Sequence, residues 1–168
     1  MSEGLLKGVL LSLCLIGTSA SASAETTKGA LKDFGLIGTW STDCSKDVEK
    51  QIGFRATYTA PMFGPAVLVS MNRQANRTIS LKKEVERAVR ITDEKIQVTL
   101  KPLEHKINGA DAVRTEKMSS TFVFTIQKVG SKIRTIDSRS PDGVYVSVEG
   151  GQFSDNGAMT PFLERCLN

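Results

Sequence analysis

A serine followed three residues later by a lysine can work as an acyl-transfer nucleophile, the amine tuning the hydroxyl. Ser80-Leu81-Lys82-Lys83 has that spacing, and Ser154-Asp155-Asn156 supplies an S-D-N element of the kind that accompanies it. The rest of the constellation is missing: there is no K-T-G triplet, and Ser80 falls in a stretch that reads as a strand. Ser-His-Asp chemistry would have to pass through His105, the single histidine of the chain. Flanked by Glu104 and Lys106 and unaccompanied by a G-x-S-x-G elbow, His105 reads as a solvated surface side chain. Glycine loops that cradle phosphate are absent. One histidine and three cysteines leave too few soft ligands for most protein-built zinc sites. The residues therefore point away from an enzyme and call for no cofactor or metal.

The cysteines have a different use. Residues 1–24 read as a secretory signal peptide: Lys7 gives a weakly positive start, and Gly8 to Gly17 is an apolar run of ten residues. That run is half of the ~20 residues a spanning helix needs. Ala22-Ser23-Ala24 and Ala20-Ser21-Ala22 both fit an A-x-A cleavage site. Cys14 falls inside the discarded peptide, and Leu13 before it is too large for a lipoprotein site. The mature chain would keep Cys44 and Cys166. In an exported protein in an oxidising compartment such as the periplasm, an even pair favours a disulfide that clasps the two ends. A redox pair would want C-x-x-C spacing, which is absent.

Charge says little about partners. The whole chain carries 22 Lys+Arg against 18 Asp+Glu, a net +4 that removal of Lys7 and Glu3 leaves unchanged. There is no block of like charge to mark a nucleic-acid footprint, and no second long apolar segment to span a membrane.

The elements that would hold any site are written in a period of two. Ile52, Phe54, Ala56 and Tyr58 share one face; so do Ile96, Val98 and Leu100, then Phe122, Phe124 and Ile126, then Val144, Val146 and Val148. Such alternation of β-branched and aromatic residues predicts strands with one buried face. Turns separate them at Thr92–Lys95, at Gly130-Ser131 and at Pro141-Asp142-Gly143. The expected fold is all-β, an antiparallel up-and-down meander of seven or eight strands over 36–168, curled into a closed barrel because closure removes exposed edges. Ser80–Ile91 is ambiguous, since Leu81, Val85 and Ala88 have helical spacing; the hairpin turn that follows favours a strand. Within residues 25–35, an N-terminal arm, Thr27–Phe34 suits a short helix with Leu31 and Phe34 on one side and Gly35 as its stop. Between Leu103 and Met118 the apolar pattern fades, which predicts a long loop.

The two ends carry the most specific signals. Gly38-Thr39-Trp40 opening the first strand resembles the start of lipocalin-like barrels. That resemblance implies that Trp40 plugs one barrel end and that Arg165 packs across it through a cation–π contact. Gly38-Thr39-Trp40-Ser41-Thr42-Asp43-Cys44 and Thr160-Pro161-Phe162-Leu163-Glu164-Arg165-Cys166 together resemble a set of small exported bacterial proteins of uncharacterised function. These share a G-x-W-x-x-D-C opening and a T-P-[WF]-x-E-[KR]-C close; the likeness touches Asp142-Gly143 and covers about a third of the mature chain. It implies a periplasmic β-rich domain with Cys44 bonded to Cys166, and it brings no activity.

The longest uncharged stretch is Ala56–Asn72. It reads either as two core strands whose turn, Pro61-Met62-Phe63-Gly64-Pro65, folds onto the body, or as an apolar lip at an open barrel end. The lip, Met62 and Phe63, would serve a small apolar ligand or a partner protein. The functional expectation is an exported binding module for a small apolar or amphipathic ligand. The competing expectation is an interaction module, such as a periplasmic inhibitor using residues 25–36 as a free arm, or an envelope assembly factor.

Overall fold

Thr26 starts a helix by accepting the Gly29 amide on its hydroxyl at 3.1 Å. Gly35 stops it in the left-handed region (φ 78°), where the Leu36 amide reaches back to the Leu31 carbonyl at 2.8 Å. The resulting α1 (Thr27–Phe34) buries Ala30, Leu31 and Phe34, the side expected from the sequence. The computed structural model describes residues 25–111 and 120–167. The expected signal peptide, with Cys14 and both cleavage positions, lies outside them, as does 112–119 of the expected loop.

Among the described residues eleven strands follow α1: β1 (Gly38–Ser41), β2 (Gly53–Thr59), β3 (Ala66–Arg73), β4 (Thr78–Thr92), β5 (Lys95–Ile107), β6 (Ala110–Asp111), β7 (Phe122–Val129), β8 (Lys132–Arg139), β9 (Val146–Glu149), β10 (Gln152–Phe153) and β11 (Leu163–Cys166). All pairings are antiparallel. Eight strands close a ring in the order β1-β2-β3-β4-β5-β7-β8-β11, and β11 pairs back onto β1. The expected all-β barrel is the observed one. β6 extends the far end of β5, and the β9–β10 hairpin hangs on β8 outside the ring. The Val144–Val148 segment therefore supplies no barrel strand. Val144 stands exposed in the turn, and β11 takes the eighth place.

Alternation places Ala56, Tyr58, Leu68, Val98, Leu100, Ile126, Ile133 and Leu163 together in the buried core. Two registers needed the structure. Between β4 and β5 the pairing runs Val85 with Leu100 and then Arg87 with Thr99, leaving Glu86 as an extra residue. This bulge shifts the phase, so Leu81 and Val85 before it and Ala88 after it all face inward. Their helix-like spacing is a strand with an insertion. On β5 the slip falls at Leu103, between the Pro102 and Glu104 pairings. The strand then continues through His105 to Ile107 where a loop was expected.

Helix α1 lies across one end of the barrel. Thr27 donates to the Glu86 carbonyl, and Lys28 Nζ donates to the carbonyls of Pro61 (2.6 Å) and Met62 (3.3 Å). From β7, Lys128 sits 4.5 Å over the Phe34 ring and donates to the Phe34 carbonyl at 2.5 Å. Residues 25–36 are thus a fastened plug, which removes the free arm on which the inhibitor reading leaned.

The seam where last strand meets first is short, with three register pairs between β1 and β11 and two between β11 and β8. Cys44 and Cys166 are bonded across it, with Cα atoms 5.3 Å apart and 122 positions apart in sequence. A link closing so long a loop restricts the unfolded chain. Replacing both cysteines by alanine is expected to lower the unfolding free energy by about 2–4 kcal/mol. A urea melt of the oxidised protein beside the variant measures this. Coincident midpoints would mean that strand pairing alone secures the seam.

Candidate functional site

The inward side chains do not fill the ring. A cavity of about 200 Å³ remains, walled mainly by Phe54, Leu68, Leu81, Leu100, Phe124 and Ile126. Tyr58, Ser70, Lys83 and Thr135 add polar atoms to this wall. Few polar groups in an apolar hollow is the composition of a small-molecule site. An apolar cavity near 150 Å³ can take up benzene, so this one suits a guest of about ten heavy atoms.

Lys83 is the unusual member. It pairs in register with Leu68 and sits in phase with the inward Leu81 and Val85. Its side chain is only partly exposed, and its Nζ lies 4.9 Å from the centroid of the Phe124 ring. Among the described residues no carboxylate comes within ion-pair distance of it. Loss of hydration disfavours the charged form and pulls the amine from 10.5 down to about 8. Tyr58, deep in the same wall, is pushed the other way by the same cause, so its phenol stays neutral. Arg134 contributes to the wall, but its guanidinium stacks 5.1 Å from the Phe162 centroid. An amine of this kind can hold an anion. Apart from Lys83 and Arg134, the polar side chains of the wall among the described residues are hydroxyls: Tyr58, Ser70 and Thr135.

One sequence reading is corrected here. His105 is not a surface side chain: it is 5% exposed, and it pairs with the inward Leu81 on β4. Its Nδ1 is buried without a hydrogen-bond partner. The Leu103 bulge explains the misreading, because it brings position 105 into phase with 96, 98 and 100. Ser80 and Lys83 do not form a nucleophile pair: three positions along a strand place them on opposite faces of β4. Lys83 itself went unremarked as a site residue, although alternation with Leu81 and Val85 marks it as inward.

Trp40 and Arg165 meet beside the start of β1. Trp40 is buried, its indole N–H donates to the Leu36 carbonyl at 2.8 Å, and the Arg165 guanidinium lies 5.9 Å from the ring centroid. Arg165 also donates to the Ile37 carbonyl at 2.9 Å. Gly38 lies beneath the guanidinium with φ 128°, a backbone conformation that residues with a Cβ rarely adopt. Met62 and Phe63, at 86% and 85% exposure, do not fold onto the body. They crown the β2–β3 turn at the end that α1 covers, and neither lines the cavity. Ser154-Asp155-Asn156 lies in an exposed turn after β10.

No protein-family model, curated protein or solved structure matches the chain. Among the described residues, no group of three or more His, Cys, Asp or Glu side chains is placed to hold a metal ion.

Lys83 burial has a measurable cost. The folded amine releases its proton near pH 8 and the unfolded one near 10.5, so the unfolded chain binds more protons in between. Stability from this group therefore rises with pH across that window. Lys83→Met is expected to stabilise the protein at pH 7 by roughly 1–3 kcal/mol and to abolish that rise. Urea midpoints at pH 7 and pH 10 check both. A variant less stable than the parent would show that the amine is well satisfied where it is.

Proposed function

We propose that the protein is an exported, non-enzymatic binding module that takes a small apolar or amphipathic molecule into its barrel. The observation that supports this reading most directly is the 200 Å³ cavity with Lys83, Tyr58, Ser70 and Thr135 set in an otherwise apolar wall. Export to an oxidising compartment such as the periplasm accords with the signal-like residues 1–24 and with the Cys44–Cys166 bond. A second reading, a protein-interaction module, draws on one observation: the Met62–Phe63 tip, two large apolar side chains almost wholly exposed at a turn that Lys28 ties to α1.

Titration with 1-octanol followed by amide NMR separates the two. Shifts are expected at Ser70, Lys83, Phe124 and Leu163, and a bulky wall substitution, Ser70→Phe, is expected to remove them. Shifts confined to residues 60–65, or none in a protein that also carries no small molecule by native mass spectrometry, would overturn the barrel-binding reading.

A further inference from the structure

Resting on the barrel-binding reading, we infer that the guest is an anion: a short apolar body ending in a carboxylate or a similar singly charged oxyanion, which the Lys83 ammonium holds within the cavity. The geometry carries this. Among the described residues Lys83 is the one ionisable amine in the wall, and its register neighbours on β3 and β5, Leu68 and Pro102, are apolar. The Phe124 ring 4.9 Å away attracts the cation, but a cation–π contact contributes about 0.5–2 kcal/mol, less than an ammonium loses on leaving water. An oxyanion entering the cavity would restore the missing partner, and in an apolar hollow such a charge-assisted bond is strong. Tyr58 on β2, Ser70 on β3 and Thr135 on β8 offer hydroxyl donors for the remaining lone pairs. A neutral guest would leave the amine without a counter-charge. The volume limits the body to about eight carbons beside the head group.

Proton linkage adds a signature. The ionisable groups facing the amine are few: Tyr58 from β2, held neutral by burial, and Arg134 from β8, whose guanidinium is turned to Phe162. β3, β7 and β11 present Leu68, Ser70, Phe124, Ile126 and Leu163, and His105 on β5 lies outside the lining. Anion affinity is therefore expected to fall above about pH 8 as free Lys83 loses its proton.

Calorimetric titration with sodium octanoate and with 1-octanol tests the inference. At pH 7 octanoate is expected to bind at least tenfold more tightly than octanol. Lys83→Met should cost octanoate tenfold or more while leaving octanol within twofold, and Lys83→Arg should keep the acid preference. Raising the pH from 7 to 10 should weaken octanoate alone. Equal affinity for the acid and the alcohol, with both indifferent to Lys83→Met, would overturn the anion inference and leave the barrel-binding reading standing. Binding of neither would overturn the barrel-binding reading itself.

Discussion

A sheet can have an interior of its own only if its first and last strands meet, and here that meeting rests on a four-residue strand. β11 is inserted between β8 and β1 with few register pairs on either side. Several unrelated forces converge on it. The Cys44–Cys166 bond fixes its end, Lys132 and Glu164 pair across β8 and β11 at 2.6 Å, and Arg165 grips both the Trp40 ring and the Ile37 carbonyl. The same strand supplies Leu163 to the cavity wall, so the fastening and the hollow share a residue two positions from the guanidinium.

Closure alone does not decide whether the inside is solid. An eight-stranded ring is narrow enough for side chains to fill. At one end Phe34, Leu31 and Ala30 do so from the helix, and Trp40 with Leu36 completes the packing. Further along, small or polar residues, Ala56, Ser70 and Thr135, occupy inward positions where larger aliphatics would have met across the axis. Lys83 stands among them and points its charge at an aromatic face. The bulges at Glu86 and Leu103 let β4 and β5 bend around this part of the ring while keeping apolar side chains inward.

Much of this was legible beforehand because it depends on local chemistry. Alternation marks a half-buried strand wherever it is unbroken, as at Ile96–Leu100, and Gly35 ends a helix for reasons of its own backbone. The bond between Cys44 and Cys166 could be anticipated from an even pair of cysteines in the expected mature chain. What could not be read depends on register. One extra residue at Glu86 gave β4 a helical rhythm, and one at Leu103 hid both the continuation of β5 and the burial of His105. The cavity is a sum over eight strands, and a change of one inward side chain on any of them would alter it; Lys83, in step with Leu81 and Val85, was the one available signal of it and was not read as such.

Pairing of β1 with β11 also bears on how the molecule comes to exist. Nearly the whole polypeptide separates the two partners, so the cost of bringing them together falls late, after the intervening hairpins have formed. A chain delivered amino-end first, as in vectorial synthesis or threading through a translocation pore, must hold its opening strand in waiting until the final residues emerge. During that interval two unpaired strand margins stand open to neighbours, and folding becomes a race against misassociation.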